Sequence, residues 1–402
     1  MKKLGILLYS LILLASCSKI NSQQELPALQ QLHPESMVTE LPVMHLEVNP
    51  EQLDNLFTYF LSTIKIPARV TVYGIQKDIL IQDDAVIEIK GVGAAAKDMK
   101  PIGFVLAHSF NNSTLNILSP KVLAKGDDLG VIQTFRLRNS SQDYGITMLK
   151  DLAFTELALR AGFDFELKYG RPMHLFINAS YYGLHNFRTE VDRLGLSQLL
   201  QVDSNLITLL EMDSKNHNLE YREGDEAFCE SFIQAIKTED VTQLQAMLDV
   251  ENFMDYIIFE DYIGNTDWPH NNARAFSIAG SKIRFLLYDL DMATTRTNKP
   301  ILPEMEYYDD HVSRIYQILL AQDPDFKDRF VARKEFWYTQ LSIELFTSIV
   351  DELAQNITDE IPYLIARRGV PESNFHWRLE LEQLKRELER RDRNNRKKYQ
   401  LK

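Results

Sequence analysis

Four side chains with hard oxygen donors lie within one short segment of the chain, residues 264–294. Asp267 precedes Asn272 by five positions, and Asp289 and Asp291 follow a hydrophobic run. Carboxylate and amide oxygens are the ligands that Mg²⁺ and Mn²⁺ prefer, and a carboxylate within reach of a substrate hydroxyl group can accept its proton. These residue types are suited to metal-assisted group transfer, in which a carboxylate deprotonates a hydroxyl group and hard oxygen ligands hold the metal ions.

This spacing leaves several interpretations open. Phosphoryl transfer needs a carboxylate to orient the acceptor hydroxyl group and metal ligands to hold the phosphates, and protein kinases place an Asp, an Asn five residues later and a second Asp after a hairpin. A single D-x(4)-N match also occurs by chance, and Asp and Asn commonly stabilise turns. The Asp289–Asp291 pair would equally suit a metal-dependent glycosyl transfer.

The elements that must position these residues begin with a β-rich half. Alternating apolar and polar residues predict strands at 67–74, 78–91, 100–108 and 134–140. Turns are predicted at Gly74, at Asp83–Asp84 and in the glycine-containing segment 91–96. A helix is predicted over 145–163, ended by Gly162, and two strands over 171–192, joined near Asn178–Ser180.

Beyond about residue 190 the periodicity becomes helical, apart from a short buried strand just before Asp289. The last helix is predicted to place Trp377, Leu381, Leu384 and Leu388 on one face. The fold class expected is α+β, with a β-rich lobe at about 41–190 and an α-rich lobe at about 191–402. A cleft between two lobes is a usual ligand site.

The N-terminus predicts export. Lys2 and Lys3 precede an apolar run that is too short to span a bilayer, and the sequence before Cys17 resembles a bacterial lipobox. We expect a signal peptide at 1–16, lipid on Cys17 and a polar tether at 17–40, which would hold the domain on a bacterial membrane, on the periplasmic side or at the cell surface. Cys229 would then be alone, so no internal disulfide is possible.

The bulk composition describes a folded, acidic protein. Of the 402 residues 45% are hydrophobic and 25% are charged, which is ordinary for a globular domain, and the formal net charge is −13. Nucleic-acid binding needs a basic footprint, so nucleic acid is not an expected partner.

Three ordered motifs resemble those of the CotH family, the atypical kinases of bacterial spore coats. They comprise Asn178, Tyr182, Gly183, His185 and Glu190; Gly264, Asn265, Asp267, Trp268, Asn271 and Asn272; and Tyr288, Asp289 and Asp291. The resemblance, which we expect over about residues 41–400, implies an atypical protein-kinase-like fold. It also implies ATP-dependent phosphorylation of Ser or Thr with Mg²⁺ or Mn²⁺. By this resemblance Asp267 is the catalytic-loop acid, Asn272, Asp289 and Asp291 hold the metal, and Glu190 contacts the nucleotide base or ribose.

The segment that would bind phosphate departs from the family pattern. The family has an Arg-Gly-x-Ser-Ser segment, whereas this chain has Lys90 and alanines there. We predict that Lys100, Arg136 and Arg138 bind phosphate, the two arginines on one face of a strand; the alternative is surface charge on an edge strand. Three functions stay open: a kinase acting on exported proteins, a non-catalytic binding module at the cell surface, and a nucleotidyl or acyl transferase on the same fold.

Overall fold

Eleven strands and thirteen α-helices form the described part of the chain, which in this computed structural model comprises residues 29–111, 114, 131–296 and 299–401. The strands are β1 Val43–Glu47, β2 Lys65–Tyr73, β3 Ile79–Ile89, β4 Ile102–Asn111, β5 Val131–Arg138, β6 Gly170–Ile177, β7 Ser180–Thr189, β8 Ile207–Met212, β9 Leu219–Glu223, β10 Arg274–Ile278 and β11 Arg284–Leu286. The helices are α1 Pro50–Thr58, α2 Val92–Ala95, α3 Lys150–Ala161, α4 Arg193–Leu199, α5 Glu226–Lys237, α6 Val241–Met247, α7 Val250–Ile263, α8 Leu302–Met305, α9 His311–Gln322, α10 Phe326–Gln340, α11 Ile343–Ile357, α12 Ile361–Arg368 and α13 Asn374–Tyr399.

The first seven strands close into a barrel in the order β1-β2-β3-β4-β5-β7-β6. Neighbouring strands are antiparallel except β1 and β6, which close the barrel in parallel with Met44 opposite Leu175. Strand β2 shows why the sequence forms this layer: Ile66, Ala68 and Val70 are buried and the residues between them are exposed. That alternation places one face of each strand in the barrel core.

The second sheet, in the order β11-β10-β8-β9, delivers the oxygen-rich segment. Strands β10 and β11 form an antiparallel hairpin in which Ala275 lies opposite Phe285. The residues before β10 and after β11 therefore come together at one end of the hairpin. Asp267 and Asn272 lie on the first side of this end and Asp289 on the second.

The helices surround this sheet and share a core with the barrel. Helix α7 is buried on nearly all sides, and its Asn252 exchanges hydrogen bonds with the backbone N–H and C=O of Phe285 on β11, at 2.6 and 3.2 Å. One contiguous cluster of buried apolar side chains runs from the barrel strands into the helices, so a single core serves both parts.

Most of the predicted elements are confirmed. Helix α3 ends at Gly162 with φ of 95°, the turn between β6 and β7 has Asn178 at φ of 51°, and the four predicted apolar residues of α13 are all buried. The mixed α+β class is confirmed. The division into two kinase-like lobes stays a prediction, because the barrel and the helices are joined by one core.

Two predicted turns are wrong. Strand β3 continues through Asp83 and Asp84, since Asp83 accepts a hydrogen bond from the His108 backbone N–H at 2.7 Å and Asp84 pairs with Arg69 on β2 at 2.9 Å. Both carboxylates thus have partners on neighbouring strands. The segment expected to be a turn around residues 91–96 contains one turn of helix, α2.

Part of the predicted tether contacts the domain. Leu32 and Met37 pack in a small apolar cluster with Phe176, and the Thr39 hydroxyl group donates to Glu360 at 2.7 Å. The lipobox before Cys17 lies outside the described residues. Within the described ranges, no helix is long and apolar enough to cross a membrane.

Candidate active site

The loop after α7 fixes the first half of the site. Helix α7 ends at Gly264 with φ of 64°, and the buried Asn265 donates from Nδ2 to Glu260 Oε2 at 3.1 Å. Asn265 Oδ1 in turn accepts from the backbone N–H of Asp267 at 3.3 Å. Asn272, which has φ of 53°, donates from Nδ2 to Asp267 Oδ2 at 3.3 Å. Local polar contacts therefore set the direction of the Asp267 carboxylate.

The carboxylates of Asp267 and Asp289 lie close enough to repel each other. Burial and the nearby Asp289 carboxylate raise the pKa of Asp267, and the hydrogen bond from Asn272 opposes part of that rise. Asp289 itself has φ of 62° immediately after the buried Tyr288. The hairpin thus brings Asp267, Asn272 and Asp289 together, as the sequence predicted.

A guanidinium group from the barrel joins the acids. Arg138 on β5 donates from Nη2 to Asp289 Oδ1 at 2.5 Å and to Asp291 Oδ2 at 3.2 Å, and its Nη1 lies 3.7 Å from Asp151 Oδ2. Burial lowers the pKa of Arg138, but the three carboxylates outweigh this and hold it above its ordinary value. For Asp291, burial and the Asp289 charge raise the pKa, against the effect of Arg138. Arg138, predicted to bind phosphate, therefore neutralises the predicted metal ligands.

The chemical types of the oxygen donors are those that a divalent cation prefers. Asp267, Asp289 and Asp291 offer carboxylate oxygens and Asn272 offers an amide oxygen, all hard ligands. Across the described ranges, however, no three or more His, Cys, Asp or Glu side chains are grouped so that they could hold a metal ion. The acids are instead arranged around Arg138.

Glu190 lies in a cationic environment next to this cluster. Its Oε2 is 3.0 Å from Lys168 Nζ and its Oε1 accepts from Arg136 Nε at 2.9 Å, while Lys90 Nζ is 3.9 Å away. These cations hold the pKa of Glu190 below its ordinary value, although burial acts in the opposite direction. Both oxygens of Glu190 are therefore bound to cations, and its predicted contact with a nucleotide stays a prediction.

Lys168 is a site residue that the sequence did not predict, as are Asp151 and Arg188, which lies 3.3 Å from Asp151. Lys168 is only 3% exposed, and burial lowers the pKa of its ammonium group to about 8 against the attraction of Glu190. An isolated bridge between Leu167 and Leu287 places Lys168 beside Tyr288, with Nζ 5.7 Å from the ring centroid. The sequence signal for it is local: apolar Phe163, Phe165 and Leu167 alternate with polar residues before it.

The other predicted phosphate ligands take different positions. Arg136 binds Glu190, and it shares the Lys168 environment with Arg138, as strand alternation predicted. The Lys100 ammonium group instead donates to the carbonyl oxygens of Ala95 and Lys97, at 2.7 and 2.9 Å. Lys100 therefore closes the α2 turn, and the structure does not bring it to the acid cluster.

The glycine-containing segment lies beside the site. A Cβ atom added at Gly91 would be 3.9 Å from Arg136 Nη1, and one added at Gly93 would be 3.3 Å from Gln142 Nε2. The Gln142 backbone N–H donates to Asp291 Oδ2 at 3.2 Å. Gly91 and Gly93 therefore lie next to Arg136 and Gln142.

Comparison with known proteins identifies the family. The family model described as CotH kinase protein matches residues 118–394, more than half of the chain. This chain belongs to the CotH kinase family. The match is shorter than the sequence resemblance suggested, and strands β1 to β4 lie before it. No curated protein matches the chain.

Proposed function

We propose that this member of the CotH kinase family transfers the γ-phosphoryl group of ATP to Ser or Thr hydroxyl groups of exported proteins. The observation that carries the proposal is the grouping of Asp267, Asn272 and Asp289 at one end of the β10–β11 hairpin. Phosphoryl transfer depends mainly on positioning of the substrates and on charge neutralisation. This grouping supplies a carboxylate that can position the acceptor hydroxyl group and oxygen ligands for a metal ion that neutralises charge.

Asp267 is the proposed base for the acceptor hydroxyl group. Its raised pKa makes the carboxylate a better proton acceptor than an exposed Asp, and the Asn272 amide orients it. A bound Mg²⁺ or Mn²⁺, held by Asn272, Asp289 and Asp291, would supply neutralisation of the nucleotide phosphates.

The cations around Glu190 support a nucleotide site. Protein kinases pair a buried lysine with a glutamate, and the lysine contacts the phosphates of ATP. Lys168 and Glu190 make such a pair, with Arg136 as a second cation on the same carboxylate. We assign Lys168 and Arg136 to the phosphates, with Glu190 holding both in position.

Export completes the proposal. The lipobox-like sequence at Cys17 would place the domain on the outer side of a bacterial membrane, so its protein substrates would be exported or surface proteins. Lipid attachment can be tested by mass spectrometry of Cys17 in protein purified from membranes, compared with a Cys17→Ser variant.

A second candidate function follows from Arg138. Its guanidinium group binds both Asp289 and Asp291, and in this arrangement the acids have a protein cation as their partner. A non-catalytic binding module that keeps the fold without nucleotide chemistry would suit this contact.

One experiment separates the candidates. Protein is incubated with Mn²⁺ or Mg²⁺ and γ-labelled ATP, beside Asp267→Ala and Asp289→Ala variants, and α-labelled ATP is the control for nucleotidyl transfer. The exposed Asp328 on α10 gives a matched control, Asp328→Ala. We expect γ-label transfer by the native chain and Asp328→Ala, at least about 100-fold loss in the other two variants, and no α-label transfer.

Melting temperature measured with and without ATP and Mg²⁺ completes the test. Asp267→Ala should keep the ATP-dependent rise, because the proposed base does not bind nucleotide, whereas Asp289→Ala should reduce it. Absence of both label transfer and ATP-dependent stabilisation in the native chain would refute the kinase proposal and leave the binding module.

A further inference from the structure

A second concave site lies between the C-terminal helices, away from the acid cluster. It is a cavity of about 410 Å³, bounded by residues of α8, α9, α10 and the end of α13. Cavities of roughly 300–1,000 Å³ are the usual size for small-molecule sites. Neither the four oxygen-donor residues nor Lys168 and Glu190 line it.

The cavity wall is mostly apolar. Leu302 and Phe330 are buried side chains that contribute to it, with the half-buried Leu320 beside them and Val331, 40% exposed, at the opening. An apolar wall of this size favours a hydrocarbon or aromatic ligand body, since burying apolar surface from water is favourable.

One buried cation lines this apolar cavity. Lys334 is 9% exposed, and its Nζ lies 3.8 Å from the Tyr399 ring centroid and 5.6 Å from that of Phe330. Among the described residues, its ammonium group has ring faces but no hydrogen-bond acceptor or carboxylate within bonding distance. Burial lowers the pKa of Lys334. Because no carboxylate or carbonyl oxygen of the described residues binds this ammonium group, an anionic ligand atom in the cavity would form a charge-assisted hydrogen bond with it.

The charges at the opening limit the ligand to one negative charge. Lys327 and Glu306 are both exposed and both line the cavity, so their charges oppose each other there. Among the residues that line the cavity, Lys334 therefore carries the one positive charge that no lining carboxylate balances, while Asp261 and Glu335 outside the lining attract it. A monoanionic head group fits this balance better than a dianionic phosphate.

We propose that this cavity binds a small amphiphilic monocarboxylate, with its head group on the Lys334 ammonium and its apolar body against Leu302, Leu320 and Phe330. The wall that receives it is held in place from the side of α7. The Tyr399 hydroxyl group donates to Asp261 Oδ2 at 2.8 Å, and the Leu302 backbone N–H donates to Asp261 Oδ1 at 3.3 Å. The cavity is therefore a formed feature of the fold.

Calorimetric titration of the full chain with octanoate tests the proposal, with octanol as the uncharged probe. Lys334→Met removes the charge and keeps the apolar stem, and Leu320→Trp fills the cavity; Lys215→Met, at an exposed lysine, is the matched control. We expect octanoate to bind, and its affinity to fall about 10- to 100-fold in Lys334→Met, as for loss of a charged hydrogen bond. Leu320→Trp should abolish octanoate binding, and Lys215→Met should leave the octanoate affinity unchanged. The affinity of the native chain for octanol should be as low as the affinity of Lys334→Met for octanoate.

Three results would overturn the proposal: no octanoate binding by the native chain, equal affinity for octanoate and octanol, or unchanged affinity in Lys334→Met. Circular dichroism establishes that each variant is folded. Should Lys334→Met fail to fold, the comparison of octanoate with octanol and the Leu320→Trp variant decide between the same outcomes. None of these results depends on kinase activity.

Discussion

Glu260 should make the stability of this protein fall as the pH rises through neutrality. This carboxyl group is fully buried on α7. Among the described residues, its one hydrogen bond comes from Asn265 to Oε2, and Oε1 has no hydrogen-bond partner. Burial raises the pKa of Glu260 from 4.5 to about 8. The folded protein therefore keeps a proton on Glu260 between about pH 4.5 and pH 8, where the unfolded chain has released it.

The sign and size of the effect follow from this difference. Where the folded state binds more protons than the unfolded state, the free energy of unfolding decreases as pH rises. Each pKa unit corresponds to about 1.4 kcal/mol. Between pH 4.5 and about pH 8 the free energy of unfolding should therefore fall by up to about 5 kcal/mol. Glu260→Gln has the shape of the neutral acid and no titration. It should match the native chain near pH 5 and exceed its stability near pH 9.

Urea unfolding of both proteins at pH 5, 7 and 9 measures this difference. Glu335→Gln on α10 is the control, because Glu335 is exposed and its replacement should change the free energy of unfolding by no more than about 0.5 kcal/mol at any pH. A difference between Glu260→Gln and the native chain that is the same at pH 5 and pH 9 would refute the reasoning. It would mean that Glu260 titrates alike in the folded and unfolded states.

Two further substitutions test the packing that supports the site. Gly264→Ala should lower the free energy of unfolding in urea by well over about 1 kcal/mol, because the residue has φ of 64° and a new Cβ atom would meet the Arg391 guanidinium group. Gly280→Ala is the control: it has φ of 72° but lies in open space, so its free energy of unfolding should fall by only about 1 kcal/mol. Equal losses in the two variants would show that the contact with Arg391 adds nothing to the effect of Gly264→Ala. Trp377→Phe should lower the free energy of unfolding by about 1–3 kcal/mol, because the buried indole Nε1–H donates to the Thr147 carbonyl oxygen at 2.8 Å. An unchanged free energy of unfolding would show that this hydrogen bond makes no net contribution to stability.

The parts of the site that follow from local pattern could be predicted from the sequence. The short apolar strand predicted before Asp289 is β11, and its pairing with β10 brings Asp289 to the end of the hairpin that the segment with Asp267 and Asn272 enters. Strand alternation placed Arg136 and Arg138 on one side in the same way. These predictions needed only the period of a single element.

The parts that depend on distant partners could not be predicted. Lys168 reaches the site through the bridge between Leu167 and Leu287, which are far apart in the chain. Lys100 looked like a phosphate ligand by type, but nearby carbonyl oxygens bind its ammonium group. A single sequence shows which residues are charged. It does not show which carbonyl or carboxylate groups will bind those residues in the folded protein.

The charge of the acid cluster bears on which of the two candidate functions is preferred. The cluster contains two guanidinium groups and four carboxylates: Arg138, Arg188, Asp151, Asp267, Asp289 and Asp291. Arg188 lies 3.3 Å from Asp151, so Arg138 is left as the guanidinium partner of Asp289 and Asp291. With all four carboxylates ionised, two negative charges are not neutralised by the two arginines. Burial is the largest cause of the raised pKa values of Asp267 and Asp291, and repulsion by the Asp289 carboxylate adds to both. A divalent cation carries the charge that would neutralise this excess, which favours the kinase over a binding module whose acids are already satisfied by Arg138.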